Sequence, residues 1–279
     1  MNQQAILDYY KHSHIDYLMI WGTFRNFALH YGYHDQQHKT HHAAVLNMNR
    51  EVARRAGVQT GDKVLDAGCG IGGTSIWMAQ NCGTQMTAIN ISDYQVDRGE
   101  RLVKKLGLEN QVRFVRRSFT DTGLPDESFD AIFGMESISY AEDKRDFLRE
   151  AYRLLKPGGR LVVTDGFQND IDPTPEYETE YQQWLDGWAV PNLWGLQQFQ
   201  DDMTEIGFRD IEMEDAYDKV LPSSRRMYLA AKACYAGAKL LQWMRIRNQV
   251  QTGNVKAAKL QYVCLTQRKW IYGIIRGVK

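Results

Sequence analysis

Val64-Leu65-Asp66-Ala67-Gly68-Cys69-Gly70-Ile71-Gly72-Gly73 reads as a short buried strand that turns into a helix through four glycines, with an acid two positions before the first. Glycine serves such a turn in two ways. It visits φ > 0, and it lets the backbone approach a ligand more closely than a Cβ allows. The spacing Gly68-x-Gly70-x-x-Gly73 also fits the dinucleotide fingerprint, so the glycines alone choose no ligand. A nicotinamide site wants Asp or Glu about 20 residues on, at the end of the second strand. Here that strand, Gln85 to Ile91, closes on Asn90.

Outward from this block, apolar strands alternate with helical patterns over residues 58–220: Lys63–Asp66, Gln85–Ile91, Val112–Val115, Ala131–Met135 and Arg160–Thr164. That alternation predicts an α/β, doubly wound, parallel sheet. Leu155-Lys156-Pro157-Gly158-Gly159 punctuates the approach to the fifth strand, and Ile206-Gly207-Phe208 looks like a helix end feeding another. Residues 1–57 form a helical, aromatic- and histidine-rich lid, whose last helix is expected from Asp35 as N-cap to Gly57 as C′. Residues 221–279 read as two basic helices broken at Gly253-Asn254, and residues 168–200 as an aromatic cap insertion.

With 43% hydrophobic and 24% charged residues, the 279-residue chain has the composition of an ordinary globule. Four cysteines (Cys69, Cys82, Cys234, Cys264) without metal spacing fit reduced thiols and a cytoplasmic setting. The opening residues lack a basic region followed by an apolar run, against a signal peptide. The net charge of zero hides an asymmetry. Residues 219–279 hold 13 Lys or Arg and no acid, leaving residues 1–218 with 21 basic and 34 acidic side chains.

The block Asp66-x-Gly68-Cys69-Gly70-x-Gly72-Gly73 resembles motif I of the class I S-adenosylmethionine-dependent methyltransferases. Ser128-Phe129-Asp130 and Leu155-Lys156-Pro157-Gly158-Gly159 are similar to further family motifs. Ala88-Ile89-Asn90-Ile91-Ser92-Asp93-Tyr94-Gln95 and Met135-Glu136-Ser137-Ile138-Ser139-Tyr140-Ala141 resemble the sterol C-methyltransferases, with Tyr140 where those have His. Asp8-Tyr9-Tyr10 and Trp21-Gly22 agree, and the tocopherol methyltransferases are similar more loosely. The resemblance implies a Rossmann-like sheet, mostly parallel with an antiparallel late strand, and S-adenosyl-L-methionine as cofactor. It places amides around Gly68, Gly70 and Gly72 at the methionine carboxylate, at a helix N-terminus that favours an anion. Asp66 and Cys69 belong to that loop, with Asp66 toward the ammonium. Asn90 falls at the ribose hydroxyls with Gln95 assisting, Phe119 offers a stacking surface at the adenine, and Ile91 and Met135 are further cofactor-binding candidates. Ser118 stands where the family often has Asp.

The acceptor half reads as aromatic. Tyr177, Tyr181, Trp184, Trp188 and Trp194 form a lid, and Tyr9 and Tyr31 come from the N-terminal segment; more than half of these aromatics are expected simply to pack. Tyr9, Tyr31, Trp184 and Trp188 are the candidate substrate pocket. Glu136, at the carboxyl end of the fourth strand where such sheets bind ligands, is the leading catalytic candidate, with Tyr140 and His30. Asp143, Lys144, Glu150 and Arg153 read as decoration of an exposed helix. His38 and His42 would lie one turn apart on a helix begun at Asp35, but carboxylates are scarce there, and a solvated face is preferred to a metal site.

These features predict methyl transfer to an apolar small molecule, with C-methylation of a terpenoid or prenyl lipid ahead of O- or N-methylation of an aromatic or amine metabolite. Three readings of the basic tail stay open: peripheral docking on anionic membranes, attraction of an anionic substrate such as a prenyl diphosphate, or packing on the acidic body or on another subunit of a homo-oligomer. The membrane reading leans on Arg268-Lys269-Trp270-Ile271-Tyr272-Gly273-Ile274-Ile275-Arg276, taken as an interfacial helix end. No RNA- or DNA-binding motif accompanies the charge, which argues against nucleic acid.

Overall fold

The computed structural model describes residues 27–169 and 175–279, together with Leu7. Tyr9 and the other expectations for residues 1–26, and the side chain of Tyr177, lie outside the described residues. Seven strands form one sheet in the order β3-β2-β1-β4-β5-β7-β6. They are β1 (Lys63–Ala67), β2 (Gln85–Asn90), β3 (Val112–Arg116), β4 (Phe129–Met135), β5 (Leu155–Gln168), β6 (Arg209–Asp215) and β7 (Trp270–Val278). The first five pair in parallel, and β7 runs antiparallel to both β5 and β6.

Helices α1 (His41–Arg55), α2 (Gly73–Cys82), α3 (Asp93–Leu106), α4 (Lys144–Leu154), α5 (Pro175–Gly187), α6 (Leu196–Ile206), α7 (Tyr217–Trp243) and α8 (Gln249–Thr266), with a 3₁₀ turn at Ile138–Tyr140, complete the described elements. Val64, Leu65, Ala131, Ile132 and Phe133 are fully buried, because helices cover both faces of the central strands and no polar face is left. From β1 the chain moves outward to β2 and β3, then returns to β4 on the other side of β1. The crevice at that reversal is where such sheets take ligands.

Three expectations change. Asp35 does not cap α1: its carboxylate accepts from the amides of Gln37 and His38, at 2.8 and 2.7 Å, and from the His38 ring. That local turn competes with helix, so Thr40 caps α1 instead and His38 stays outside it. Nor does the C-terminal region break at Gly253-Asn254. The break falls at Met244–Asn248, where Arg245 adopts φ +59° and Asn248 with Gln251 forms a capping box. Gly253 lies within α8, with nothing within 4 Å of a Cβ built on it; the close approach of α5 to α8 instead requires glycine at 187, where a Cβ would sit 2.7 Å from Ala257 Cβ and 3.0 Å from Gly253 O.

The third change is the largest. Trp270–Val278 is an inner strand, not the end of an interfacial helix. Trp270, Tyr272, Ile274 and Ile275 are almost wholly buried, and the flanking cations pair with the acidic body: Arg268 with Asp215, Lys269 with Glu180, Arg276 with Glu212. The 4-3-4-3 spacing of Met227, Ala231, Cys234, Ala238 and Leu241 predicts one core-facing stripe on α7; Met227, Ala231 and Ala238 are buried, whereas Cys234 and Leu241 are exposed. Among the described residues no helix is long and apolar enough to cross a membrane.

Candidate active site

A cleft opens at the carboxyl ends of β1, β2, β4 and β5. Its floor is the glycine loop. Gly68 and Cys69 donate their amides to Ile89 O, at 3.0 and 2.9 Å, and Gly72 donates to Cys69 O at 2.8 Å. The expectation that the Gly68 and Gly72 amides face an anion is thereby corrected, since both are spent holding the loop to β2. Among the described residues no group claims the Gly70 amide. Gly68, Gly70 and Gly72 adopt φ of +88°, +55° and +82°, the left-handed region that explains the glycines. Gly72 and Ser118 do not line the cleft. A Cβ at Gly72 would meet Phe114 at 2.5 Å, behind the loop, and the Ser118 hydroxyl is shared with Thr120 at 2.7 Å.

The remaining described cofactor candidates do line it: Asp66, Gly68, Cys69, Gly70, Asn90, Ile91, Gln95, Phe119 and Met135. Asn90 is tied on every side. Its Nδ2 donates to Gly70 O and Gln95 Oε1, at 3.0 and 2.9 Å, and its Oδ1 accepts from Ser92 N at 2.9 Å. It therefore fixes the glycine loop against the start of α3. Asp66 is buried, accepts from the Ser75 hydroxyl at 2.7 Å, and pairs with no basic side chain among the described residues. Burial pushes its carboxyl up to about 7, against the opposing Ser75 bond. A buried acid without a cation, below a helix start free of acidic side chains, fits an amino-acid moiety carrying ammonium and carboxylate.

The other end of the cleft is aromatic. Trp188 stands 6.0 Å from Trp184, Trp184 4.9 Å from Trp270, Trp270 6.2 Å from Tyr31, and Tyr31 5.6 Å from Tyr272, in one continuous wall. Tyr31, Trp184 and Trp188 thus stand where the sequence predicts a pocket. Trp194 does not; it packs under the sheet with Phe167, Phe199 and their neighbours. The lid segment Phe27–Tyr31 lies over the glycine loop, with Leu29 Cδ1 3.3 Å from a Cβ built at Gly70.

Glu136 directly follows β4 with φ +51°, a strained conformation for a side-chain-bearing residue. Its Oε1 accepts from Tyr31 N at 2.7 Å and from Tyr272 Oη at 2.8 Å. Burial pushes the carboxyl from 4.5 up to about 8; those two bonds pull it back, and nearby Asp165 adds to the rise. Asp165 also lines the cleft, accepting from the amides of Ser139 and Gly166 at 3.0 and 2.8 Å, and burial raises its pKa as well. His30 donates from Nδ1 to Tyr31 O at 2.9 Å, and its buried Nε2 makes no hydrogen bond. Burial lowers its pKa to about 4, so the ring is neutral with a lone pair at Nε2. Tyr140 donates to Trp188 O at 3.2 Å, fastening the cap to the loop after β4.

Lys144, expected on an exposed face, is buried. Its Nζ donates to Ser139 O, Ala141 O and Asn192 O at 3.1, 2.6 and 3.0 Å, joining the same loop to the cap, and burial lowers it to about 8. The sequence reading also passes over Asp165, Trp270 and Tyr272. For Asp165 the signal is present, since it directly follows the fifth strand as read from sequence, Arg160–Thr164, just as Glu136 directly follows the fourth, Ala131–Met135.

Glu136 carries a stability signature. An acid whose folded pKa lies above its unfolded value stabilises fully below about 4.5, and that contribution is lost as pH rises through about 8. Without added ligand, Glu136→Gln should therefore gain thermal stability relative to the parent between those pH values, by up to roughly 4 kcal/mol at the alkaline end. Melting curves across that range whose difference stays constant with pH would show that the Glu136 carboxyl is not the titrating group.

A methyltransferase-domain family profile matches residues 65–163. A 27-O-demethylrifamycin SV methyltransferase of Amycolatopsis mediterranei is 30% identical over 260 residues, covering 90% of this chain and 91% of that protein. This chain belongs to the class I S-adenosylmethionine-dependent methyltransferases. A sterol 24-C-methyltransferase of Eremothecium gossypii is 29% identical over 221 residues; the match spans 77% of this methyltransferase but only 59% of that protein. The fold agrees with a geranyl diphosphate methyltransferase structure at a TM-score of 0.79 over 99% of this chain and 98% of that one, with 20% identity. S-adenosylmethionine is accordingly the cofactor that the floor of the cleft suits.

Proposed function

We propose that this methyltransferase alkylates an apolar small molecule held against the aromatic wall, with a terpenoid or prenyl lipid methylated at carbon as the leading class. The observation that carries the reading is Glu136, a half-buried residue whose carboxyl desolvation raises to about 8, beside Tyr31 and Tyr272. When bound, S-adenosylmethionine supplies an electrophilic methyl group on a sulfonium with a neutral leaving group. Asp66 and the Gly70 amide would hold its amino-acid end, Ile91, Gln95, Phe119 and Met135 its nucleoside. The chain's own work is then alignment, exclusion of water, and one proton transfer. Aromatic faces favour positive charge building on an alkene, and Glu136 Oε2 takes the proton that leaves the carbon skeleton.

One observation favours O- or N-methylation as the second reading. The neutral His30 imidazole has an unbonded Nε2, which suits removal of a proton from a hydroxyl or amine. Incubation with methyl-labelled cofactor and metabolite extracts fractionated by polarity separates the two. Label on carbon in the apolar fraction is expected; label on oxygen or nitrogen of polar metabolites only would overturn the leading reading. In calorimetry S-adenosylhomocysteine should bind and NAD should not.

A further inference from the structure

We propose that the outward face of α7 and the turn after it form a docking surface for anionic lipid membranes. Met227, Ala231 and Ala238 mark the buried side of this helix. At 100° per residue, Leu229, Ala233, Leu240, Trp243 and Met244 fall on the opposite side, and all are exposed. Trp243 is 81% exposed and Ile246, in the turn, 67%. Single exposed apolar residues are ordinary, but a stripe along one face that ends in an exposed tryptophan is not.

Charge selects the occupant. Arg225, Lys232 and Lys239 recur every seven residues along one edge of the stripe, Arg245 stands in the turn, and residues 219–279 contain no acid. An apolar band with cations of one sign and a terminal tryptophan matches a bilayer interface rich in anionic headgroups. Arg268 and Lys269, just before β7, and Arg276 within it offer no such surface, since they are paired with acids of the body. Position connects the surface to the cleft. α7 packs on α8, α8 packs on α5, and Trp184 of α5 lines the aromatic wall.

The test uses the full chain, pelleted with vesicles of phosphatidylcholine alone or of phosphatidylcholine mixed with phosphatidylserine. Binding is expected to the mixed vesicles only, fading as added salt shortens the Debye length. Trp243→Ser with Ile246→Ser, and separately Lys232→Glu with Lys239→Glu, should each weaken it by about tenfold or more. Melting temperature and S-adenosylhomocysteine affinity should not change, because these side chains face solvent. Arg268→Gln with Arg276→Gln should do the reverse, lowering the melting temperature and sparing vesicle binding. Binding that ignores lipid charge, or that survives both α7 variants, would overturn the proposal. So would a parent dimer that Trp243→Ser with Ile246→Ser dissociates while vesicles go unbound, which would make the face an interface between copies.

Discussion

Glu136→Gln should lower methyl transfer by about 100-fold or more while S-adenosylhomocysteine affinity stays within a few fold. The substitution isolates the proton. Gln keeps a carbonyl oxygen for the Tyr31 amide and the Tyr272 hydroxyl, so the loop after β4 retains its bonds. What disappears is a carboxyl that burial holds near 8, close to the pH at which a general base works best. The parent's kcat/KM should rise with pH toward that value and the variant's should lose the rise. Near-normal turnover with an unchanged pH profile would make Glu136 structural and turn attention to His30.

Gly70→Val should weaken S-adenosylhomocysteine binding by at least about 100-fold, which corresponds to roughly 2.7 kcal/mol. At φ +55° a β-branched residue is badly strained, and its Cβ would sit 3.3 Å from Leu29 Cδ1 of the lid. The Leu29 tip can give by a few tenths of an ångström, but relief of the backbone strain requires the loop to unwind, which dismantles the floor of the cleft. Gly61→Ala is the control. It has φ +89° and nothing within 4 Å of a new Cβ, so it carries backbone strain away from the site. Calorimetry should find Gly61→Ala less stable but fully competent to bind; equal binding by Gly70→Val would remove the glycine loop from the cofactor site.

What the sequence disclosed depended on how local each signal was. The strand–glycine–helix turn at Val64–Gly73 is written in adjacent residues, and so are Asn90 and Glu136 at the ends of their strands; all three line the cleft. β7 was missed because its pattern is not local. Buried on both faces, Trp270–Ile275 shows no alternation, and a short apolar run with basic neighbours serves equally as a helix end. Gly273 and Gly277 were the available hint. A Cβ at Gly273 would strike Phe167 of the neighbouring β5 at 2.5 Å, and one at Gly277 would strike Met203 of α6 at 2.6 Å. Tyr272 and Trp270 were lost to the site for the same reason, since a residue can be assigned to a wall only once its strand is known. Lys144 failed differently. Its helix is amphipathic, yet the first-turn lysine tucks under the cap, a tertiary contact that no spacing announces.

The late strand sets the order in which the molecule can be made. β5 and β6 are neighbours of β7 and not of each other, so β6 has no place in the sheet until residues 270–278 arrive. About 60 residues separate the end of β6 from the end of β7, which at about 5–20 residues per second is roughly 3–12 s of ribosomal time. Throughout it the nascent chain carries an open β5 edge with apolar faces ready for any passing strand. The same interval leaves the aromatic wall without Trp270 and Tyr272, so nothing can be held against that wall until residues 270–272 have been made.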